Sequence, residues 1–183
     1  MRVIAGSARR TVLVAPKGQN TRPTADRIKE NLFNIISAHI PGARFLDLFC
    51  GSGAIGIEAL SRGASEAVFV DISKDAVSAT MANLTRVRFS HRSKVLRMSV
   101  CEAISKLKQE NREFDIIFLD PPYNENLFGE TLDALGASNL LSADGIIIAE
   151  YGADDSKPEA EHLILYDERE YGGTKIALFK GNV

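Results

Sequence analysis

Four consecutive residues, Asp120-Pro121-Pro122-Tyr123, follow the apolar run FDIIFL and carry recognisable chemistry. An exocyclic amine on a nucleobase has two N–H donors, and its lone pair is delocalised into the ring. To attack an electrophile the nitrogen must regain that lone pair. The Asp120 carboxylate can accept one N–H, and the carbonyl of Pro121 the other, because proline lacks a donor but keeps its acceptor. Two acceptors favour the positive charge that develops on nitrogen. Pro122 stiffens the turn, and Tyr123 offers a face for stacking on the base. No strong base is needed, since the proton becomes acidic once nitrogen is alkylated. A plain Asp-Pro turn closing a strand is the bland alternative.

Two further aspartates also end apolar runs. Asp47 lies in FLDLFCGSGAIGIEAL, just before Gly51-Ser52-Gly53-Ala54-Ile55-Gly56, and Asp71 closes EAVFVD. The G-x-G-x-x-G pattern, set between a strand and a helix, is a cradle for a nucleotide-like ligand at a helix N-terminus. Asp47 discriminates between ligands. A dinucleotide would set its anionic pyrophosphate beside a buried carboxylate and be repelled. S-adenosylmethionine (SAM) instead presents an ammonium and a sulfonium. The glycines then serve close backbone approach to its methionine and ribose. Asp71 suits ribose hydroxyls in either class of cofactor.

The elements that must position these groups alternate. RVIAG and TVLVA are β-prone runs that predict an N-terminal hairpin, and residues 16–20 a loop. Thr24 is a good N-cap for an amphipathic helix over residues 24–38, with Ile28, Leu32, Ile35 and Ile36 at helical spacing. Strand-like RFLDLF, EAVFVD, KVLRMS, FDIIFLD and GIIIAEYG then alternate with helix-like AIGIEALSR, KDAVSATMANL, CEAISKLKQ and ENLFGETLDAL. This alternation predicts a parallel sheet with helices on both faces. HLILYDEREYGGTKIALFK reads as two strands around Gly172-Gly173. The expected division is a hairpin appendage over 1–20 and one α/β domain over 21–183.

Composition narrows the class. The 183 residues are 45% hydrophobic and 25% charged, ordinary for one globular domain. Cys50 and Cys101 form no metal spacing and read as reduced thiols, with Cys50 packed beneath the glycine loop; His39, His91 and His162 are scattered, so no metal is expected. No apolar run is long enough for a membrane span, and MRVIAGSARR is too polar for a signal peptide, so a cytoplasmic protein without membrane contact is expected. Asn83-Leu84-Thr85 matches a glycosylation sequon by chance. The net charge is -2. Arg2, Arg9, Arg10, Lys17, Arg22, Arg27 and Lys29 form one basic zone, and Arg86, Arg88, Arg92, Lys94 and Arg97 a second; both could grip phosphates.

FLDLFCGSGAIGIEAL together with DPPY resembles the class I SAM-dependent amino-methyltransferases. TRPTADRIKENLFNII, LDLFCGSGAIGIEALSRGA and FLDPPY together resemble the bacterial RsmD family, over nearly the whole chain. The resemblance implies a Rossmann-like fold with a mostly parallel seven-stranded sheet, an antiparallel C-terminal hairpin strand and the N-terminal β-hairpin. It implies transfer of a methyl group from SAM to the exocyclic N2 amine of a guanine in 16S rRNA, guanine 966, within the small ribosomal subunit or an assembly intermediate; a monomer is expected. By position it sets SAM against Asp47, Phe49, Gly51, Gly53 and Ala54, with Asp71 and Ile72 at the ribose side. Ser99 and Val100 lie in the run that relatives use near the adenine; Ser99, Glu102 or backbone amides could serve there. Asp120, Pro121, Pro122 and Tyr123 would hold the guanine. Arg22, Thr24 and Arg27 match the family's segment near the cofactor and substrate mouth, and the basic hairpin residues Arg9 and Arg10 are expected, on charge, to grip the flanking RNA backbone. The net charge is compatible with recognising a ribosomal particle, whose proteins supply part of the surface.

The rivals are an adenine-N6 DNA methyltransferase, which usually needs a target-recognition region for which this chain has no spare length, and a non-catalytic assembly factor on a SAM fold. A nicotinamide oxidoreductase conflicts with Asp47 and DPPY. A cytosine-C5 enzyme needs a nucleophilic cysteine, and neither cysteine has that setting.

Overall fold

The computed structural model describes residues 1–16, 23–122, 125–153 and 160–182, with side chains described throughout except at 23–26 and 125–126. The chain alternates as expected. Helix α1 (Pro23–Ile35) leads into strand β1 (Arg44–Leu48), and then come α2 (Ala54–Ser61), β2 (Glu66–Asp71), α3 (Lys74–Arg86), β3 (Ser93–Arg97), α4 (Val100–Gln109), β4 (Phe114–Leu119), α5 (Glu125–Gly136) and β5 (Leu141–Gly152). The antiparallel pair β6 (Leu163–Tyr171) and β7 (Thr174–Gly181) closes the sequence. Its turn uses Gly172 and Gly173, both at positive φ (59° and 89°), where a side chain would be strained.

The seven strands form one sheet in the order β3-β2-β1-β4-β5-β7-β6. The first five run parallel, and β7 inserts antiparallel between β5 and β6. The order reverses at β1 and β4, so their carboxyl ends border the crevice where ligands bind in open α/β sheets. Local chemistry sets the helix starts. Ser73 caps α3 by accepting the backbone N–H of Ala76. Ser99 and Glu102 form a reciprocal capping box on α4.

Apolar cores lie on the two faces of the sheet. Phe45, Ile116, Phe118, Ile146 and Ile148 face one core together with α1, α2 and the first residues of the chain. Leu46, Leu48, Ile117, Leu119, Ile147 and Ala149 face the other, under α4 and α5. This alternation follows from the two-residue period of a strand.

Several boundaries differ from the sequence reading. The N-terminal hairpin is present as two segments joined by one antiparallel bridge, Arg2 to Val12, rather than two regular strands. Much of the backbone of this arm bonds to other elements: Ile4 and Ala5 donate to Glu58, Ala8 to Ser61, and Val14 to Asn83. Helix α1 begins at Pro23, so Thr24 is inside it rather than its cap, and it ends at Ile35 before a short 3-10 turn at Ser37–His39. Proline suits the first helical position, where its missing N–H costs nothing. Strand β5 starts four residues before the expected GIIIAEYG, beyond a register shift opposite Phe114 and Ile116. The expected loop over 16–20 lies, after Pro16, outside the described residues.

One ionic cluster is buried. Glu58 is fully inaccessible, and its carboxylate meets Lys29 Nζ at 3.3 Å and Arg62 Nε at 2.8 Å while accepting the N–H groups of Ile4 and Ala5. Lys29 Nζ also donates to the carbonyl of Arg2. Lys29 is therefore no part of an exposed basic zone; it clamps the N-terminal arm to α1 and α2.

Candidate active site

The glycine loop joins the end of β1 to α2. Phe49 and Gly51 both take left-handed backbone, with φ of 60° and 54°, and Gly53 follows at 74° as the residue before α2. Asp71, at the end of the neighbouring strand, holds the loop: its Oδ2 accepts the N–H of Gly51 at 2.9 Å and its Oδ1 that of Ser73 at 2.8 Å. Thr80 adds a hydroxyl donated to the carbonyl of Gly51. Cys50 is buried beneath the loop with Sγ 3.6 Å from Thr80 Oγ1, as expected. Burial pushes its thiol well above the ordinary range, so it is no nucleophile.

The glycines divide by role. A Cβ on Gly51 would meet no atom within 4 Å, so it would project into open space in the crevice. On Gly53 it would come within 2.8 Å of Thr80 Cγ2, and on Gly56 within 2.4 Å of Phe69 Cε1. Only at Gly51 is the space beside the backbone open; at Gly53 and Gly56 packing alone is a reason for glycine. Gly53 and Gly56 are small because α2 packs tightly against α3 and β2.

Asp47 is fully buried, and its Oδ2 accepts the N–H of Gly56 at 2.9 Å. Burial, then repulsion from Asp120 and Asp71, pushes its carboxyl up to about 7 despite that bond. Such a group favours a cationic neighbour, and with the open space over Gly51 it fits the ammonium and backbone-sized parts of SAM. Ile72 is 72% exposed directly after Asp71, an apolar surface beside the same crevice. Ala54 and Val100 are buried at the first positions of α2 and α4. Ser99 is committed locally: its N–H and hydroxyl both donate to Glu102, so neither is spare while that box is closed.

Asp120 follows β4 at the open end of the crevice, on the same sheet face as Asp47. Water reaches it from the open side, yet enough protein surrounds it that lost hydration raises its pKa. Pro121 is half-buried and Pro122 exposed. Tyr123 lies outside the described residues. The sequence reading missed Glu150, which stands beside Asp120 in the neighbouring strand. Burial and the Asp120 charge push its carboxyl up as well. No motif flags it, because its place beside Asp120 depends on strand order.

The first basic zone is partly assembled. Arg2, Arg9, Arg10 and Arg27 line one surface cavity of about 490 Å³ with Val3, Ile4 and Glu30. Arg9, Arg10 and Arg27 are thus brought together as expected, and Arg2 joins them. Arg22 and the side chain of Thr24 lie outside the described residues. The second zone is largely committed to the fold: Arg86 donates to the carbonyl of Val12, Arg92 to that of Ala64, and Lys94 pairs with Glu110. Asn83 is also structural. It is fully buried, binding both the N–H and C=O of Val14 and the carbonyl of Ser52, so its sequon is inaccessible. Among the described residues no group of three or more His, Cys, Asp or Glu side chains is placed to hold a metal ion, and no helix is long and apolar enough to cross a membrane.

Residues 1–180 match the family described as "Conserved hypothetical protein 95". The ribosomal RNA small subunit methyltransferase D of Haemophilus influenzae is 33% identical over 181 residues, covering 98% of this chain and 93% of that protein. A Bacillus subtilis protein, YlbH, provisionally named an rRNA methyltransferase, is 38% identical over 98% of each chain. Among solved structures, a hypothetical protein of Thermus thermophilus superposes with a TM-score of 0.84 at 30% identity, covering 97% of this chain and 98% of that one.

Proposed function

Since the chain belongs to the Conserved hypothetical protein 95 family, the RsmD family of class I SAM-dependent methyltransferases, we propose that it methylates the N2 amine of a guanine in 16S rRNA, in the small ribosomal subunit or its assembly intermediate. Relatives named as rRNA methyltransferases span nearly the full chain, which supports SAM-dependent methylation of rRNA. The proposed nucleotide is guanine 966, modified at N2.

The observation that carries it is the juxtaposition of Asp47 and Asp120 on one sheet face, at strands β1 and β4 on either side of the topological switch. Asp47, Phe49, Gly51 and Asp71 would hold SAM, with Ile72 and the start of α4 flanking its adenosine. SAM supplies an electrophilic methyl group on a positively charged sulfur; as the C–N bond forms the S–CH₃ bond breaks, leaving a neutral thioether. Asp120 Oδ and the Pro121 carbonyl would accept the two N2–H bonds, orienting the nitrogen lone pair toward the methyl. Asp120 is then the first acceptor for the proton released from alkylated nitrogen. Most of the rate comes from holding the two reactants aligned. A guanine inside folded RNA must be turned out of its stack to reach this crevice. The arginine-lined cavity would hold flanking phosphates, and the ribosomal substrate puts the work in the cytoplasm, by a single copy of the chain.

The test uses SAM labelled on its methyl group, offered with wild type and Asp120→Ala to unmodified small subunits, naked 16S rRNA and duplex DNA. Label in N2-methylguanosine, reduced about 10²–10³-fold by Asp120→Ala while SAM still binds, is the expected result. Label in N6-methyladenine would overturn it, and no label on any substrate would point to a non-catalytic assembly factor.

A further inference from the structure

Glu150 is not needed by the glycine loop or by the ion pairs that hold the fold. In the β4–β5 ladder Leu119 is paired with Ala149 in parallel register. The next residues, Asp120 and Glu150, therefore emerge side by side at the ends of neighbouring strands. Ile116, Phe118, Ile146 and Ile148 fill a single core, so alternation turns both acids toward the face that also carries Asp47. Helix α1 and the N-terminal arm, which bear the clustered arginines, cover that same face. Glu150 is half-buried and Asp120 exposed, and neither carboxylate has a hydrogen-bond partner among the described residues. A ligand that displaces water from the pair must replace its hydrogen bonds, and two adjacent carboxylates repel each other. A ligand edge with two adjacent N–H donors removes both penalties.

Guanine has that edge. Its N1–H and N2–H groups are neighbouring donors, whereas adenine and cytosine set a ring-nitrogen lone pair beside their exocyclic amine. We propose that Glu150 is a specificity residue that accepts the N1–H of the target guanine while Asp120 accepts an N2–H. This rests on the guanine-N2 reading above. A lone pair at the ring nitrogen would face the Glu150 carboxylate and be repelled, so a purine with an amine but no N1–H is rejected. Burial raises both carboxyls in the empty site, and the Asp120 charge raises Glu150 further; two arriving N–H donors favour the ionised pair, the form that excludes a bare ring nitrogen. Glu150 thus reads the base, and the amine chemistry remains with Asp120.

The experiment uses small subunits reconstituted with 16S rRNA carrying either guanine or 2-aminopurine at the target nucleotide. 2-Aminopurine keeps the 2-amine but has a bare N1. Wild type, Glu150→Gln and Glu150→Ala are compared by kcat/KM for methyl transfer to each at a pH above about 8, where the wild-type Glu150 carboxyl is ionised. Wild type should favour guanine at least about tenfold, the discrimination of one good base-edge contact. Glu150→Gln, whose amide can donate to a bare N1 or accept from N1–H, should bring the ratio to within about threefold, while SAM affinity and thermal unfolding stay as in wild type. A guanine preference unchanged in both variants overturns the proposal even if activity falls, because a merely structural role moves the rate and not the ratio. Absence of N2-methylguanosine from the wild-type reaction overturns this proposal together with the function it rests on.

Discussion

The carboxylate of Asp47 accepts the backbone N–H of Gly56 at 2.9 Å, reaching from mid-sheet to the first turn of α2. A strand side chain thus completes the start of a helix whose preceding residue is Gly53, with no side-chain cap of its own. The same bond keeps a buried acid aimed at the crevice.

If Asp47 faces the SAM ammonium as proposed, that geometry makes SAM binding sensitive to pH. In the empty protein the Asp47 carboxyl is pushed up to about 7. Its folded pKa exceeds its unfolded value, so it favours folding below about pH 4 and this contribution is lost as pH rises through 7. The bound ammonium of SAM favours the charged form, so binding below pH 7 releases a proton. Titration calorimetry from pH 5.5 to 8 should show affinity tightening by up to about tenfold per unit and levelling off above 7. Asp47→Asn should weaken binding and flatten the profile; an unchanged profile would show that Asp47 does not titrate on binding.

The glycines of the loop should separate by readout. Gly51→Ala adds a methyl to open space at a φ of 54° and should cost about 1–2 kcal/mol of stability while abolishing SAM binding. Gly56→Ala sets a methyl 2.4 Å from Phe69 Cε1 and 3.1 Å from Asp47 Oδ2. Overpacking there should cost about 1–3 kcal/mol and weaken SAM indirectly. Urea unfolding beside calorimetry distinguishes the two; full SAM affinity in Gly51→Ala would remove that residue from the cofactor site.

Glu58→Ala should be the most disruptive change outside the crevice. It removes the carboxylate facing the buried Lys29 ammonium and frees the N–H groups of Ile4 and Ala5. Losing one partner of a buried pair costs about 3–5 kcal/mol, measurable as a shift in the urea midpoint. Proteolysis should then begin in residues 1–16, since Glu58 anchors that arm. A loss below about 1 kcal/mol, far short of a buried pair's worth, would mean the arm is held by its apolar contacts alone.

The arginine-lined cavity should act on RNA and not on SAM. Arg9→Ala, Arg10→Ala and Arg27→Ala combined should weaken binding to small subunits. The log affinity against log salt should lose about 0.7–0.9 of slope per phosphate contact removed. SAM affinity should not move. An unchanged slope would make the cavity ordinary surface.

The sequence by itself determined the alternation of elements, the glycine turn and the acids at strand ends, because each is written within one local stretch. EAVFVD, for instance, spans the whole of β2, since a short apolar run rich in Val and Phe is too brief for a helix and reads as a buried strand. Serine at 73 and 99 likewise marks helix starts by bonding within three residues. What only the tertiary structure decided are relationships between distant stretches. Asp120 and Glu150 are neighbours because β5 pairs beside β4 in one register out of several. Lys29 reads as one more surface cation until α1 docks over Glu58, and in the second basic zone Arg86, Arg92 and Lys94 are spent on the carbonyls of Val12 and Ala64 and on Glu110. Local backbone preferences act over a few residues, whereas strand order, register and the burial of charge are settled by the whole core at once.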